Sequence, residues 1–419
     1  MILYIDPGTG SMLFTVLLGV LGALVAFLRT AVLNIKQYLS GGRVKKEENE
    51  KIPLVIFSDH KRYFNVFEPI LDELEKRKMD TVFLTASEDD PALKKTYSHI
   101  SCKFIGSGNK AFAYLNHLNA GVLLSTTPNL DVYFWKRSRK TDFYVHITHG
   151  AYDVSMYRMF ALDYYDAVLL SGQYQIDQTR QLEVLRGQKE KELLTVGIPY
   201  LDEMKKRYEK DKVFSKKNEE KPVTVLVAPT WGESGLLMKY GEKLLDVLCK
   251  TDYRIVVRPH PQSFVSEKEK MDALMKRYPE TERFSWNRDN DNYKALAESD
   301  IMISDFSGVI LDYCLVFERP VIWADTEYDR APYDCAWLEE RPWLFSALER
   351  IGEKLSEENV EKIGDLIEDS LKSNDYIKNI ETIKKETWEH MGEGAEQVCD
   401  YLIKACSAIC LHDTAEAEA

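Results

Sequence analysis

Between Pro53 and Ala324 short apolar runs alternate with helical stretches, and this alternation constrains the fold more than any other feature of the chain. Pro53–Phe57, Thr81–Thr85, Lys103–Gly106, Val122–Ser125, Phe143–Thr148, Ala167–Ser171 and Leu194–Val196 read as the strands of a first unit. Val223–Ala228, Tyr253–Val257, Asp300–Ser304 and Val321–Ala324 read as those of a second. Most are apolar throughout, as strands are when a parallel sheet is covered on both faces. Two such sets predict an α/β chain with two doubly wound, Rossmann-like domains facing a cleft.

The expected organisation is an N-terminal membrane anchor over 1–40, a linker over 41–52, a first domain over 53–205 and a second over 222–375. Helices are expected over 376–411 and a disordered tail over 412–419. The anchor rests on Met12–Leu28, an uncharged apolar run close to the length that crosses a bilayer. Basic residues follow it (Arg29, Lys36, Arg43, Lys45, Lys46), whereas Met1–Ser11 carries only Asp6. By the positive-inside rule this predicts a single-pass protein of the cell membrane with its catalytic body in the cytoplasm. A re-entrant or interfacial hairpin is the alternative.

A formal net charge of −13 argues against a general nucleic-acid binder, yet leaves room for local Arg and His to build a phosphate pocket. The seven cysteines are scattered without a CxxC pair, so neither a disulfide framework nor a zinc site is expected. No cofactor or metal is called for. The acidic groups Glu88-Asp89-Asp90 and Asp289-Asn290-Asp291 read as solvated turns.

Ligands of open parallel sheets bind beyond the carboxyl ends of the strands. Four such ends carry unusual residues: Thr148-His149-Gly150, Pro229-Thr230-Trp231, Arg258-Pro259-His260-Pro261 and Ser304–Gly308. Arg258 offers a planar fork of donors, and His260 a proton or hydrogen bond for a leaving phosphate. Ser307 and Gly308 open an apolar helix, where free backbone N–H groups and the helix dipole attract an anion. Thr230, Ser304 and Asp305 share the same strand ends and are assigned to the donor side, although Asp305 or Ser307 also suits a plain N-cap. His149, before a glycine, stands where a general base reaches an acceptor hydroxyl.

The motifs THG (148–150), APTW (228–231), RPHP (258–261) and SDFSGVILDY (304–313) resemble the CDP-glycerol glycerophosphotransferase family of teichoic-acid polymerases and primases. GIPYLD (197–202) resembles that family's exit from its first domain, and the likeness runs from about Pro53 to Gly394. The resemblance implies the GT-B fold and transfer of a polyol phosphate from CDP-glycerol or CDP-ribitol to a lipid-linked or polymeric acceptor, with release of CMP. It implies His149 as general base and places Arg258, His260, Ser307 and Gly308 around the donor pyrophosphate. The family often carries Ser or Thr where this chain has Gly308. A GT-B glycosyltransferase or nucleotide-sugar epimerase acting on a UDP-sugar is the alternative.

Two weaker signals remain. Gly106-Ser107-Gly108 lacks the third glycine of a dinucleotide fingerprint. Lys136, Arg137, Arg139 and Lys140 form the strongest basic cluster of the body, suited to anionic headgroups or a polyphosphate acceptor.

Overall fold

The computed structural model describes residues 51–214, 221–289 and 291–418. The apolar run expected to anchor the chain lies outside them, as does most of the linker. Among the described residues no helix is long and apolar enough to cross a membrane.

The first sheet holds β1 (Ile52–Ser58), β2 (Thr81–Thr85), β3 (Ile100–Phe104), β4 (Ala120–Ser125), β5 (Thr141–Ile147), β6 (Ala167–Leu170) and β7 (Glu192–Thr195), in the order β3-β2-β1-β4-β5-β6-β7. The second holds β8 (Thr224–Val227), β9 (Arg254–Val257), β10 (Phe284–Trp286), β11 (Ile301–Ser304), β12 (Val321–Ala324) and β13 (Gly352–Leu355), in the order β10-β9-β8-β11-β12-β13. Every pairing is parallel. β4, β6, β8, β11 and β12 are buried at every position, which explains why their sequences do not alternate. Each sheet is covered on both faces by its own apolar clusters.

In both sheets the strand order reverses once, between β1 and β4 and between β8 and β11. A switch point leaves a crevice at the carboxyl ends of its two strands, because the flanking connections run off in opposite directions.

Three connections tie the halves together. Gly197 opens GIPYLD at φ 81°, and a Cβ there would lie 2.6 Å from the Glu389 carbonyl oxygen. Asp202, five residues on, accepts from the indole N–H of Trp388 at 3.0 Å and from the backbone N–H groups of Gly392 and Gly394 at 2.6 and 3.0 Å. The final helix, Gly394–Glu418, lays Val398, Cys399, Leu402 and Cys406 against Leu54, Ile56 and Phe67 of the first sheet's core. It also carries helix through positions 412–418, where a disordered tail was expected. On the other side the segment after β12 crosses over: Pro332 O accepts from Met159 N at 3.2 Å, and Asp334 accepts from Phe160 N at 2.7 Å and from Arg186. Arg186 lies between the rings of Phe160 and Trp337, 5.1 and 5.3 Å from their centroids.

Two strands escape the sequence reading. β10 has three residues, and β13 is an edge strand, Gly-Glu-Lys-Leu, whose polar residues hide it. Asp90, expected in a solvated turn, is fully buried: it accepts from Thr85 Oγ1 at 2.7 Å and caps the short turn Pro91–Lys94 through Ala92 N at 3.0 Å.

Candidate active site

His149 follows β5 by two residues and stands beside the first switch point, since β5 is the neighbour of β4. The Tyr63 ring, in the turn after β1, lies 5.0 Å from its ring. Thr126 Oγ1, just past β4, lies 3.1 Å from its Nδ1, and Tyr152 Oη lies 2.9 Å from the same nitrogen. Burial, helped by the Arg62 charge, pushes His149 down to about 4, so the imidazole is neutral at pH 7.

At the second switch point the ends of β8 and β11 are laced together. Ser304 Oγ donates to Ala228 O at 2.7 Å. The fully buried Asp305 carboxylate accepts from the backbone N–H groups of Thr230 (3.0 Å), Ser307 (3.0 Å) and Leu236 (2.9 Å). Burial outweighs these bonds and raises Asp305 to about 6. Ser304, Asp305 and the Thr230 backbone thus shape the loops after β8 and β11 by holding one another. Ser307 and Gly308 remain partly open, and no side chain caps the helix Val309–Phe317 that follows. Ile310 and Leu311 turn their N–H groups back on the Ser307 and Gly308 carbonyls at 3.1 Å, which leaves the N–H groups of Gly308 and Val309 to attract an anion.

Arg258 follows β9 and gives a hydrogen bond to Asn287 Oδ1, a neutral partner. Its charge stays uncompensated by any direct carboxylate contact among the described residues, although burial disfavours it. His260 Nδ1 accepts from the backbone N–H of Gln262 at 3.1 Å. That bond fixes the tautomer: the ring proton sits on Nε2, a donor for a phosphate oxygen. Burial first, then Arg62 and Arg258, push His260 down to about 4.

The two switch points face each other. The Arg62 charge depresses both histidines, and the Arg62 guanidinium sits 5.9 Å from the Tyr63 ring centroid. A Cβ on Gly308 would meet Tyr152 Cβ at 3.5 Å, and one on Gly150 would lie 3.8 Å from Asp312 Oδ1. The loop carrying His149 therefore packs directly on the first turn of the anion-site helix. Asp312, in that turn, is raised to about 7 by burial.

Of the basic cluster, Arg137 is committed to the fold: it pairs with Asp166 at 2.8 Å, donates to Tyr164 O at 2.5 Å and covers the Tyr144 ring. Lys136 donates to Asp131 O at 2.7 Å. Arg139 and Lys140 are exposed, as are nearby Tyr133 and Phe134. These residues lie along the connection from β4 back to the start of β5, away from the histidines.

Sequence reasoning missed Arg62, Tyr63, Thr126, Tyr152 and Asp312. Arg62 was within reach of the criterion that found Arg258 and His260, since Asp59-His60-Lys61-Arg62 is also a charged strand end. Among the described residues no group of His, Cys, Asp or Glu is placed to hold a metal ion.

Residues 44–403 match the family model described as CDP-glycerol:poly(glycerophosphate) glycerophosphotransferase. The chain belongs to that family. It is thus a transferase of the glycerophosphotransferase type. The comparison with curated proteins found no match. Among solved structures, the transferase is similar to the wall teichoic acid polymerase TagF, with a TM-score of 0.56 at 15% identity over 92% of this chain and 98% of that one. It is also similar to a UDP-GlcNAc 2-epimerase of Methanocaldococcus jannaschii, with a TM-score of 0.54 at 12% identity over 85% and 100% of the two chains. A putative UDP-N-acetylglucosamine 2-epimerase of Listeria monocytogenes gives 0.51 at 13% identity over 83% and 95%. At these identities the likeness establishes the fold, a GT-B-like pair of parallel sheets shared by transferases and epimerases.

Proposed function

We propose that the transferase moves glycerol phosphate, or a related polyol phosphate, from a CDP-activated donor to a hydroxyl of a membrane-bound acceptor, releasing CMP, in synthesis of a teichoic-acid-like envelope polymer. The observation that carries this reading is the pairing of two neutral histidines across one cleft, one beside an uncapped helix N-terminus and Arg258, the other on the opposite sheet. Family membership and the likeness to a teichoic acid polymerase support the donor and polymer class.

In this reading the donor pyrophosphate rests on the backbone N–H groups of Gly308 and Val309, with Arg258 and the Nε2–H of His260 on its oxygens. The acceptor oxygen approaches the β-phosphorus from the first domain. Its bond to phosphorus forms, the bond from phosphorus to the CMP oxygen breaks, and His149 Nε2 takes the acceptor proton. Charge builds on the departing CMP, where fixed donors in a water-poor cleft act most strongly. Late deprotonation suits a neutral imidazole of lowered basicity, because phosphoryl transfer passes through a loose transition state with little bond formation to the nucleophile. The uncharged run 12–28 would hold the enzyme at the membrane with this cleft on the cytoplasmic side, and Arg139 and Lys140 would meet anionic headgroups.

The test is to supply the full-length enzyme with CDP-glycerol, CDP-ribitol or UDP-GlcNAc, with and without a lipid-linked glycerol-phosphate acceptor, and measure nucleotide release. The proposal expects acceptor-dependent CMP from a CDP-polyol, lost in His149→Ala. Release of UDP, or none of CMP from a folded enzyme, overturns it.

A further inference from the structure

A base histidine needs its second nitrogen held, so that the ring keeps one tautomer and one orientation. In many enzymes a buried carboxylate does this. Among the described residues no carboxylate hydrogen-bonds to His149. Behind its Nδ1 runs a neutral chain instead. Tyr152 Oη lies 2.9 Å from Nδ1, Tyr152 Oη and Tyr157 Oη are hydrogen-bonded to each other, and Tyr157 Oη lies 3.4 Å from Nε2 of His146. The rings interlock: Tyr152 and Tyr157 stand edge to face at 5.4 Å, and Tyr157 and His146 do so at 5.8 Å. His146 lies inside β5, fully buried, and its Nδ1 has no hydrogen-bond partner. A buried histidine inside a strand is an expensive core residue unless one of its nitrogens is used. Here the used nitrogen is the one that ends the chain.

We propose that Tyr152, Tyr157 and His146 form a positioning relay for His149, doing with neutral groups what a carboxylate does elsewhere. The inference rests on the reading of His149 as the acceptor's base. For Nε2 of His149 to be free to accept, Nδ1 must carry the proton and donate it to Tyr152 Oη. Tyr152 then donates to Tyr157 Oη, and Tyr157 to His146 Nε2, so each hydroxyl gives one bond and takes one. The chain can run in this direction because it ends on an acceptor. No proton travels along it during the reaction. The acceptor proton stays on His149 Nε2 until product leaves, while the aligned hydroxyl dipoles stabilise the imidazolium.

A neutral relay also suits this cleft. A carboxylate behind His149 would place a fixed negative charge close to a bound pyrophosphate, whereas hydroxyls hold the ring without one. Other titratable or charged groups around His149 are Arg62 and Tyr63 after β1, and Asp312 on the facing helix. Thr126 Oγ1, 3.1 Å away, is the other hydroxyl on Nδ1, but the Tyr152 contact at 2.9 Å is the shorter one and the one that continues to Tyr157 and His146.

The experiment compares Tyr152→Phe, Tyr157→Phe, the double variant and His149→Ala, using nucleotide release with lipid-linked acceptor across pH. Both Tyr→Phe changes keep the ring and remove one oxygen, and thermal melting confirms the fold. The proposal expects kcat to fall about tenfold in Tyr152→Phe, the lower end of what losing the partner of a functional imidazole costs, with the donor KM unchanged. The acidic limb of kcat should move to lower pH, because the imidazolium loses an acceptor. Tyr157→Phe should give a smaller shift in the same direction, and the double variant should lose less than the product of the two. A Tyr152→Phe enzyme with unaltered kcat and pH profile, beside an inactive His149→Ala, overturns the relay and leaves the base standing. An active His149→Ala overturns the base reading itself. Imidazole 15N shifts of the resting enzyme add a check: a bare Nε2 on His149 supports the stated polarity, and a bare Nδ1 overturns it.

Discussion

The backbone N–H of Gln262 donates to Nδ1 of His260 at 3.1 Å, and this one bond makes His260 a hydrogen-bond donor toward the cleft. The neighbouring prolines, Pro259 and Pro261, have no N–H to compete for that nitrogen. The strand end RPHP is therefore a device for presenting Nε2–H, with Arg258 beside it as the permanent charge.

His260→Ala removes the donor and should cost about 10²- to 10³-fold in kcat, the usual effect of losing one preorganised donor at a site of developing charge. His260→Gln, whose amide can place an N–H near the same point, should recover part of it. Steady-state nucleotide release from the two variants checks this, and equal losses in both would show that the ring does something other than donate.

The three buried histidines should each cost stability as the pH falls below their ordinary value. His146, His149 and His260 are held near 3, 4 and 4 by burial, while in the unfolded chain they titrate at their ordinary 6.5. Between pH 6.5 and about 4 the unfolded state binds more protons, so stability rises with pH across that window and is lost as pH falls through it. Asp305, raised to about 6 in the fold, works in the opposite sense, since its folded carboxyl keeps a proton that the unfolded one has lost. Asp312 and Asp334, raised by burial to about 7 and about 6, oppose the histidines in the same way, so the histidine contribution is read from a variant and not from the net slope. Between pH 7 and pH 4 the thermal midpoint of His146→Phe should gain on that of the parent protein, because the variant has lost one histidine whose protonation favours the unfolded chain; parallel curves for the two would show that His146 titrates as in the unfolded chain.

Gly308→Ser should fold normally. Gly308 has φ −57°, which any residue adopts, and a Cβ would meet Tyr152 at an ordinary 3.5 Å. The new hydroxyl would cap the helix and lie among the same N–H groups that the donor needs. The expected result is a thermal midpoint unchanged or slightly raised, with an altered KM for the CDP-polyol; an unchanged KM for both CDP-glycerol and CDP-ribitol would remove this position from donor choice.

The strand ends of the second sheet were readable because they are local features of the chain. Arg258, His260, Ser307 and Gly308 each sit at the end of an apolar strand, and a strand end is visible in one dimension. The same rule placed His149. It could not separate residues facing the ligand from those holding the loops: Ser304 and Asp305 look equally polar in sequence, yet their oxygens go to Ala228 O and to three backbone N–H groups. Tyr152 and Tyr157 stayed hidden for a different reason. Aromatic residues in a turn are most often packing, and only the fold shows two hydroxyls lined up behind a ring nitrogen. Arg137 shows the reverse error, a basic residue of a run assigned outward but paired with Asp166.

The final helix has a consequence for how the molecule is made. Leu402 and Cys406 complete a core whose other walls, Leu54 and Ile56, come from the opposite end of the described chain. During synthesis the first sheet therefore emerges with one face partly uncovered and stays so until the helix Gly394–Glu418 has followed it. Cutting the protein between its two sheets would not yield two stable halves. The first would carry a bare apolar strip, prone to self-association.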